Sequence, residues 1–148
     1  MNLEEILKNF RYYKSPDGKF LLPFEGDRCC LNVVLRTEEI GSVLITGWYP
    51  VLVKWDEETI EFLARLSSLL DDLKLEVGLS SGGIITVRAR MKPEEVTPNA
   101  VQLVADVTEA VGDSLFVGGS LEERVNLFIS ATKDLPNRIE KHLKESGR

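Results

Sequence analysis

The chain of 148 residues is poor in the side chains that do covalent and metal chemistry. It has one histidine, His142, in the polar segment near its end, and two cysteines, Cys29 and Cys30, side by side. One histidine and an adjacent cysteine pair give no four-ligand zinc spacing. A cysteine nucleophile needs a base, and the single histidine stands in no motif that would supply one. Neighbours in a strand point to opposite faces, so Cys29 and Cys30 are badly placed to bond to each other. The simpler expectation puts one thiol in the core and one on the other face.

Basic residues are also short: Lys and Arg number 18 against 24 Asp and Glu, for a net charge of −6. Phosphate backbones and anionic membrane surfaces both need clustered cations, so neither nucleic acid nor membrane is an expected partner. No apolar run approaches the roughly 20 residues of a membrane helix. Met1-Asn2-Leu3-Glu4-Glu5 has no basic or apolar leader pattern, and the expectation is a cytoplasmic protein. Charge is segregated as well. No basic residue falls between Lys92 and Arg124, whereas Lys133, Arg138, Lys141, Lys144 and Arg148 crowd the end. That pattern suits two solvated faces, or attraction between the end of the chain and the acidic helix.

The composition is otherwise that of a globular domain: 43% hydrophobic and 28% charged. A chain of this length buries a core without disulfides or metals. Leu3, Ile6, Leu7 and Phe10 fall at helical spacing, and Ser15-Pro16-Asp17-Gly18 is turn chemistry. Strands are expected over Lys19–Phe24, Cys29–Arg36 and Ser42–Trp48, joined by short turns as in an antiparallel meander.

Asp56 is an N-cap candidate for a helix from Thr59 to about Leu73, with Glu57 and Glu58 favoured by the helix dipole. Ile60, Leu63, Ser67 and Leu70 form one stripe of that helix, and Phe62, Leu66, Leu69 and Leu73 another. Two stripes predict cover on more than one side, either within one subunit or by a second copy. Lys74–Leu79 and Ile84–Met91 form a further hairpin across Ser80-Ser81-Gly82-Gly83. Val87, Ala89 and Met91 alternate with Arg88, Arg90 and Lys92, giving one dry and one wet face. Thr97-Pro98 starts a long helix ended by Gly118-Gly119. Ser120 with Glu123 matches a capping box for another helix, running to about Leu135.

The expected fold is therefore α+β: a five-stranded antiparallel sheet with helices packed on it, in the order α-β-β-β-α-β-β-α-α. Residues 1–148 form one domain, and 119–148 are an added C-terminal helical extension.

Carboxylates cluster in helix first turns, where dipole and solvation explain them, so no catalytic pair is expected. The Gly82-Gly83 and Gly118-Gly119 pairs match neither a P-loop nor a dinucleotide fingerprint. No catalytic, cofactor-binding or metal residue is expected, and the protein is read as not an enzyme. The most informative segment is Gly47–Trp55, read as a connector between strand and helix. It is apolar and aromatic, and it either folds over the core or meets a partner. Partner-binding candidates are Trp48, Tyr49, Val51, Trp55, Phe62, Leu66 and Leu69.

With that order laid out, Leu3 to Leu115 resembles the YbjN-like family, also called bacterial sensory transduction regulators, which shares the fold of type III secretion chaperones. The resemblance is carried by the opening helix and three strands with Asp17-Gly18-Lys19-Phe20. It continues in Ile60-Glu61-Phe62-Leu63-Ala64-Arg65-Leu66, Leu73-Lys74-Leu75-Glu76-Val77, the strand Ile84 to Met91 and the helix from Pro98. The chain departs from the family in having Ser67-Ser68 where an Asn-rich pattern is expected, and in the helices after Gly119. The resemblance implies a type III secretion chaperone-like fold and a homodimer that binds a protein partner or client, chaperone-like or regulatory. It carries no catalytic residue over. The alternative is a small-ligand sensor with a pocket between sheet and helices, floored by Trp48 or Trp55.

Overall fold

A computed structural model describes residues 2–117 and 119–133. His142 and the basic end of the chain lie outside these residues. Among the described residues the elements are α1 (Leu3–Leu7), β1 (Tyr13–Lys14), β2 (Phe20–Glu25), β3 (Cys30–Thr37), β4 (Val43–Leu52), α2 (Glu57–Asp71), β5 (Glu76–Leu79), β6 (Ile84–Met91), a 3-10 turn at Pro93–Glu95, α3 (Pro98–Val117) and α4 (Leu121–Lys133). The class is α+β, as expected.

The sheet has six strands rather than five, all antiparallel, in the order β1-β2-β3-β4-β6-β5. The additional strand, β1, pairs only Tyr13 and Lys14 with Leu21 and Phe20. Two residues carry no readable period of two, so it is invisible to sequence patterning.

Gly47–Trp55 is not a connector throughout; it is strand as far as Leu52. Trp48 pairs with Thr86 and Tyr49 with Ile85, then the register slips so that Leu52 meets Ile84. Pro50 sits in that irregularity, where its missing N–H removes no ladder bond, so proline marks a bulge here and not a strand end. Val53 continues the line by donating its N–H to the Gly83 carbonyl at 2.8 Å.

Alternation along the strands divides the sheet into two faces. Leu31, Val33 and Leu35 of β3, Val43, Ile45 and Tyr49 of β4, and Ile85, Val87 and Ala89 of β6 point to one side and join a single apolar core with α2 and α3. The seam that α2 buries is Thr59, Phe62, Leu63, Leu66 and Leu70. It draws on both expected stripes because helical period runs it between them, and it leaves Ile60, Leu69 and Leu73 exposed. Val125 and Phe128 of α4 enter the same core, and Arg65 on α2 pairs with Glu122 on α4 at 2.6 Å.

The caps read from sequence are present. Asp56 Oδ1 accepts from the Thr59 N–H at 2.8 Å, Thr97 Oγ1 from Ala100 at 3.2 Å, and Ser120 Oγ from Glu123 at 3.2 Å. Cys29 is half-buried against the core and Cys30 is exposed, on opposite sides as strand geometry requires.

Candidate functional site

The outer face of the sheet carries a groove of about 560 Å³ lined by strand and turn residues, with no helix residue among them. Strand register fixes its layout. In one cross-strand row Arg36, Leu44 and Arg90 lie side by side. In the next lie Leu21, Val34, Thr46, Arg88 and Glu76. In the third lie Pro23, Asn32, Trp48, Thr86 and Gly78. Each row is one step of two residues along the strands, so all these side chains share the face.

Leu44, Thr46 and Thr86 are less than a tenth exposed, yet Leu44 stands outside the core cluster. They are sunk between longer neighbours: Trp48, Arg36, Arg88 and Arg90. The long aliphatic stems of arginine suit that task, shading apolar surface while the heads stay in water. Trp48 is half-buried and lines the groove.

The electrostatics of this face oppose those of the whole chain. Lys19, Arg36 and Arg88 line the groove and no Asp or Glu does. Most of the cations near it are held from the rim. Arg90 donates through Nη2 to Glu38 Oε2 at 3.2 Å, Arg88 through Nη2 to Glu76 Oε2 at 3.3 Å, and Lys19 Nζ lies 3.3 Å from Asp17 Oδ2. The Arg90 hydrogen bond holds the Glu38 carboxyl below its usual range, and Glu38 in turn raises Arg90. The Ser15 hydroxyl and then Lys19 lower Asp17 in the same way. These are charged pairs on the surface, and they orient side chains more than they stabilise the fold.

No protein-family model matches the chain. No curated protein matches it either. Among solved structures, a chain in the crystal structure of the ExsC–ExsE complex matches at 18% identity with a TM-score of 0.46, over 62% of this chain and 68% of that one.

The seven candidate partner residues are dispersed. Trp48 is in the groove. Tyr49, its neighbour, faces the other way and is 2% exposed. Its hydroxyl donates to Asp113 Oδ1 at 2.6 Å and its ring stacks on Phe116 at a centroid distance of 5.8 Å. Burial, then Asp113 and Cys29, raise the phenol above its ordinary value. Val51 is half-buried beside the core, and Trp55 is 56% exposed in the loop before α2. Phe62 and Leu66 are wholly buried under the sheet, while Leu69 is 43% exposed. Neither Trp48, on the face away from the helices, nor Trp55, in the loop, floors a pocket between sheet and helices.

Sequence reasoning missed Arg36, Thr46 and Arg88 as members of one surface. The alternation Leu44-Thr46-Trp48 against Ile45-Gly47-Tyr49 was the available signal, once β4 is continued past Trp48.

A second depression of about 410 Å³ lies between the β2–β3 turn, α3 and α4, lined by Asp27, Asp106, Glu109 and Asp113 among others. Among the described residues no group of three or more His, Cys, Asp or Glu is arranged to hold a metal ion, and no helix is long and apolar enough to cross a membrane.

Proposed function

We propose that the chain is a non-enzymatic protein-binding module, chaperone-like or regulatory, that acts as a homodimer. The observation that carries this reading is the groove on the outer face. A sheet face ordinarily buries its apolar residues under a second layer. Here Leu44, Val34 and Trp48 occupy a face to which no described helix contributes. A partner polypeptide laid on that face would supply the missing layer, and Trp48 is the residue type that anchors such contacts. The YbjN-like resemblance implies the same kind of activity.

The test is capture of proteins from native extract by the full chain and by its Trp48→Ala variant. The reading expects a discrete partner retained by the parent and lost from the variant, with the denaturant midpoint of the variant close to that of the parent. Equal capture by both proteins would count against it.

A further inference from the structure

We infer that the groove takes an extended segment of a partner protein carrying one carboxylate, seated on Arg36, four residues from a large apolar side chain seated on Trp48. This inference rests on the protein-binding reading and adds the chemistry of the partner.

Charge gives the first argument. The chain has a net charge of −6, yet its groove is lined by Lys19, Arg36 and Arg88 and by no carboxylate. The groove therefore complements an acidic group that the rest of the surface would repel. The number of acidic groups follows from the pairing. Lys19, Arg88 and Arg90 are each engaged, by Asp17, Glu76 and Glu38. Among the described residues Arg36 has no carboxylate within ion-pair distance. Glu38 feels its charge but is already bonded to Arg90 and to the Ser42 hydroxyl. One cation is thus free to receive one carboxylate, with the two-pronged geometry that arginine offers.

Register gives the spacing. Arg36 lies opposite Leu44, and Trp48 is four residues further along β4. That separation is about 13 Å at the rise of an extended chain. A segment running along β4 in extended form has the same rise and the same period. Its residues i and i+4 then share a face and stand above Trp48 and Arg36. Between them the groove presents the hydroxyl of Thr46, and Thr86 stands beside Trp48 on β6; both hydroxyls suit the polar backbone of such a segment.

Single-stranded nucleic acid also uses stacking and cations. It needs a succession of both, whereas among the described residues this groove has one aromatic ring and one unengaged arginine. Asp17, Glu38 and Glu76 at the rim would further oppose a run of phosphates.

The full chain carrying Trp55→Phe reports on the groove through Trp48, its remaining tryptophan. It is titrated with synthetic nine-residue peptides bearing Leu and Glu three, four or six positions apart, with the same peptides bearing Gln for Glu, and with a twelve-residue oligothymidylate. The expected result is strongest binding at a spacing of four, weakened about ten-fold or more by Gln, as loss of a charge-assisted bond implies. Arg36→Gln, an exposed change whose melting temperature is checked first, should bind the Glu and Gln peptides alike. Equal binding of both by the parent protein would overturn the inference and leave the protein-binding reading standing, as would a preference for Glu that survives Arg36→Gln. A response to the oligonucleotide and to no peptide, or to neither, would overturn both.

Discussion

A Cβ added to Gly112 would collide with the ring of Tyr49. The relationship has a counterpart one helical turn earlier, where a Cβ on Gly47 would collide with the Thr108 hydroxyl. Gly47 and Tyr49 are neighbours on the inner face of β4, and Thr108 and Gly112 are neighbours on α3. Each element offers one hole and one knob to the other. This interlock turns Tyr49 to the core, and alternation then turns Trp48 outward to the groove.

Gly112→Ala should therefore destabilise the protein. Ala gains about 1 kcal/mol over Gly from helix propensity alone. Against that, forcing a methyl group into a filled site costs typically 1–3 kcal/mol, so packing decides the sign. A net loss of up to about 2 kcal/mol is expected in denaturant unfolding. Shortening the ring in the double variant Tyr49→Leu, Gly112→Ala should make the combined loss smaller than the sum of the two single losses, since the residues touch.

Tyr49→Phe removes the bond to Asp113 and should cost about 1 kcal/mol near neutral pH. The pH dependence has a definite sign. Burial and the Asp113 carboxylate raise the folded phenol above the ordinary value of 10.0. The stability this gives is fully present below that ordinary value and is lost as pH rises above it, because the unfolded chain ionises first. The gap in denaturant midpoint between parent and Tyr49→Phe should narrow as pH climbs past the ordinary tyrosine range. A gap that stays constant would remove the phenol's ionisation as its cause.

The proposed homodimer uses the apolar side chains that the helical layer leaves outside. Leu69 and Leu73 of α2 line a cleft of about 220 Å³ with Phe128 and Ile129 of α4. Light scattering at micromolar concentration should show a dimer, and Leu69→Glu should give a monomer of nearly unchanged stability, since Leu69 is 43% exposed. Phe62→Ala is the contrast on the same helix. With 0% exposure, it should cost about 3–5 kcal/mol as a core truncation.

Elements whose signal is local were legible in the sequence. The strand Ile84–Met91 has the bounds that its alternation gives, and the caps at Asp56, Thr97 and Ser120 are where side-chain chemistry puts them. Non-local features were not. The third strand was expected to end at Trp48, because the place of Pro50 in a bulge depends on β6. The α2 stripes were readable as apolar but not as inside or outside, because Leu66 and Leu69 differ only in what packs over them. The groove is the clearest case. Arg36, Thr46 and Arg88 come from three strands, and only the register that sets Val34 opposite Thr46 and Thr46 opposite Arg88 gathers them around Trp48.

On the protein-binding proposal, a polypeptide lies on the outer face of the sheet. A photo-crosslinking amino acid placed at Leu21 or Asn32, on that face, and at Ser68, on the exposed side of α2, tests it in the native cell. The account predicts adducts to a discrete partner polypeptide from positions 21 and 32, lost when Arg36→Gln is added, and none to that partner from position 68. Adducts to one partner from position 68 alone, or no polypeptide adduct from either outer-face position, would contradict it.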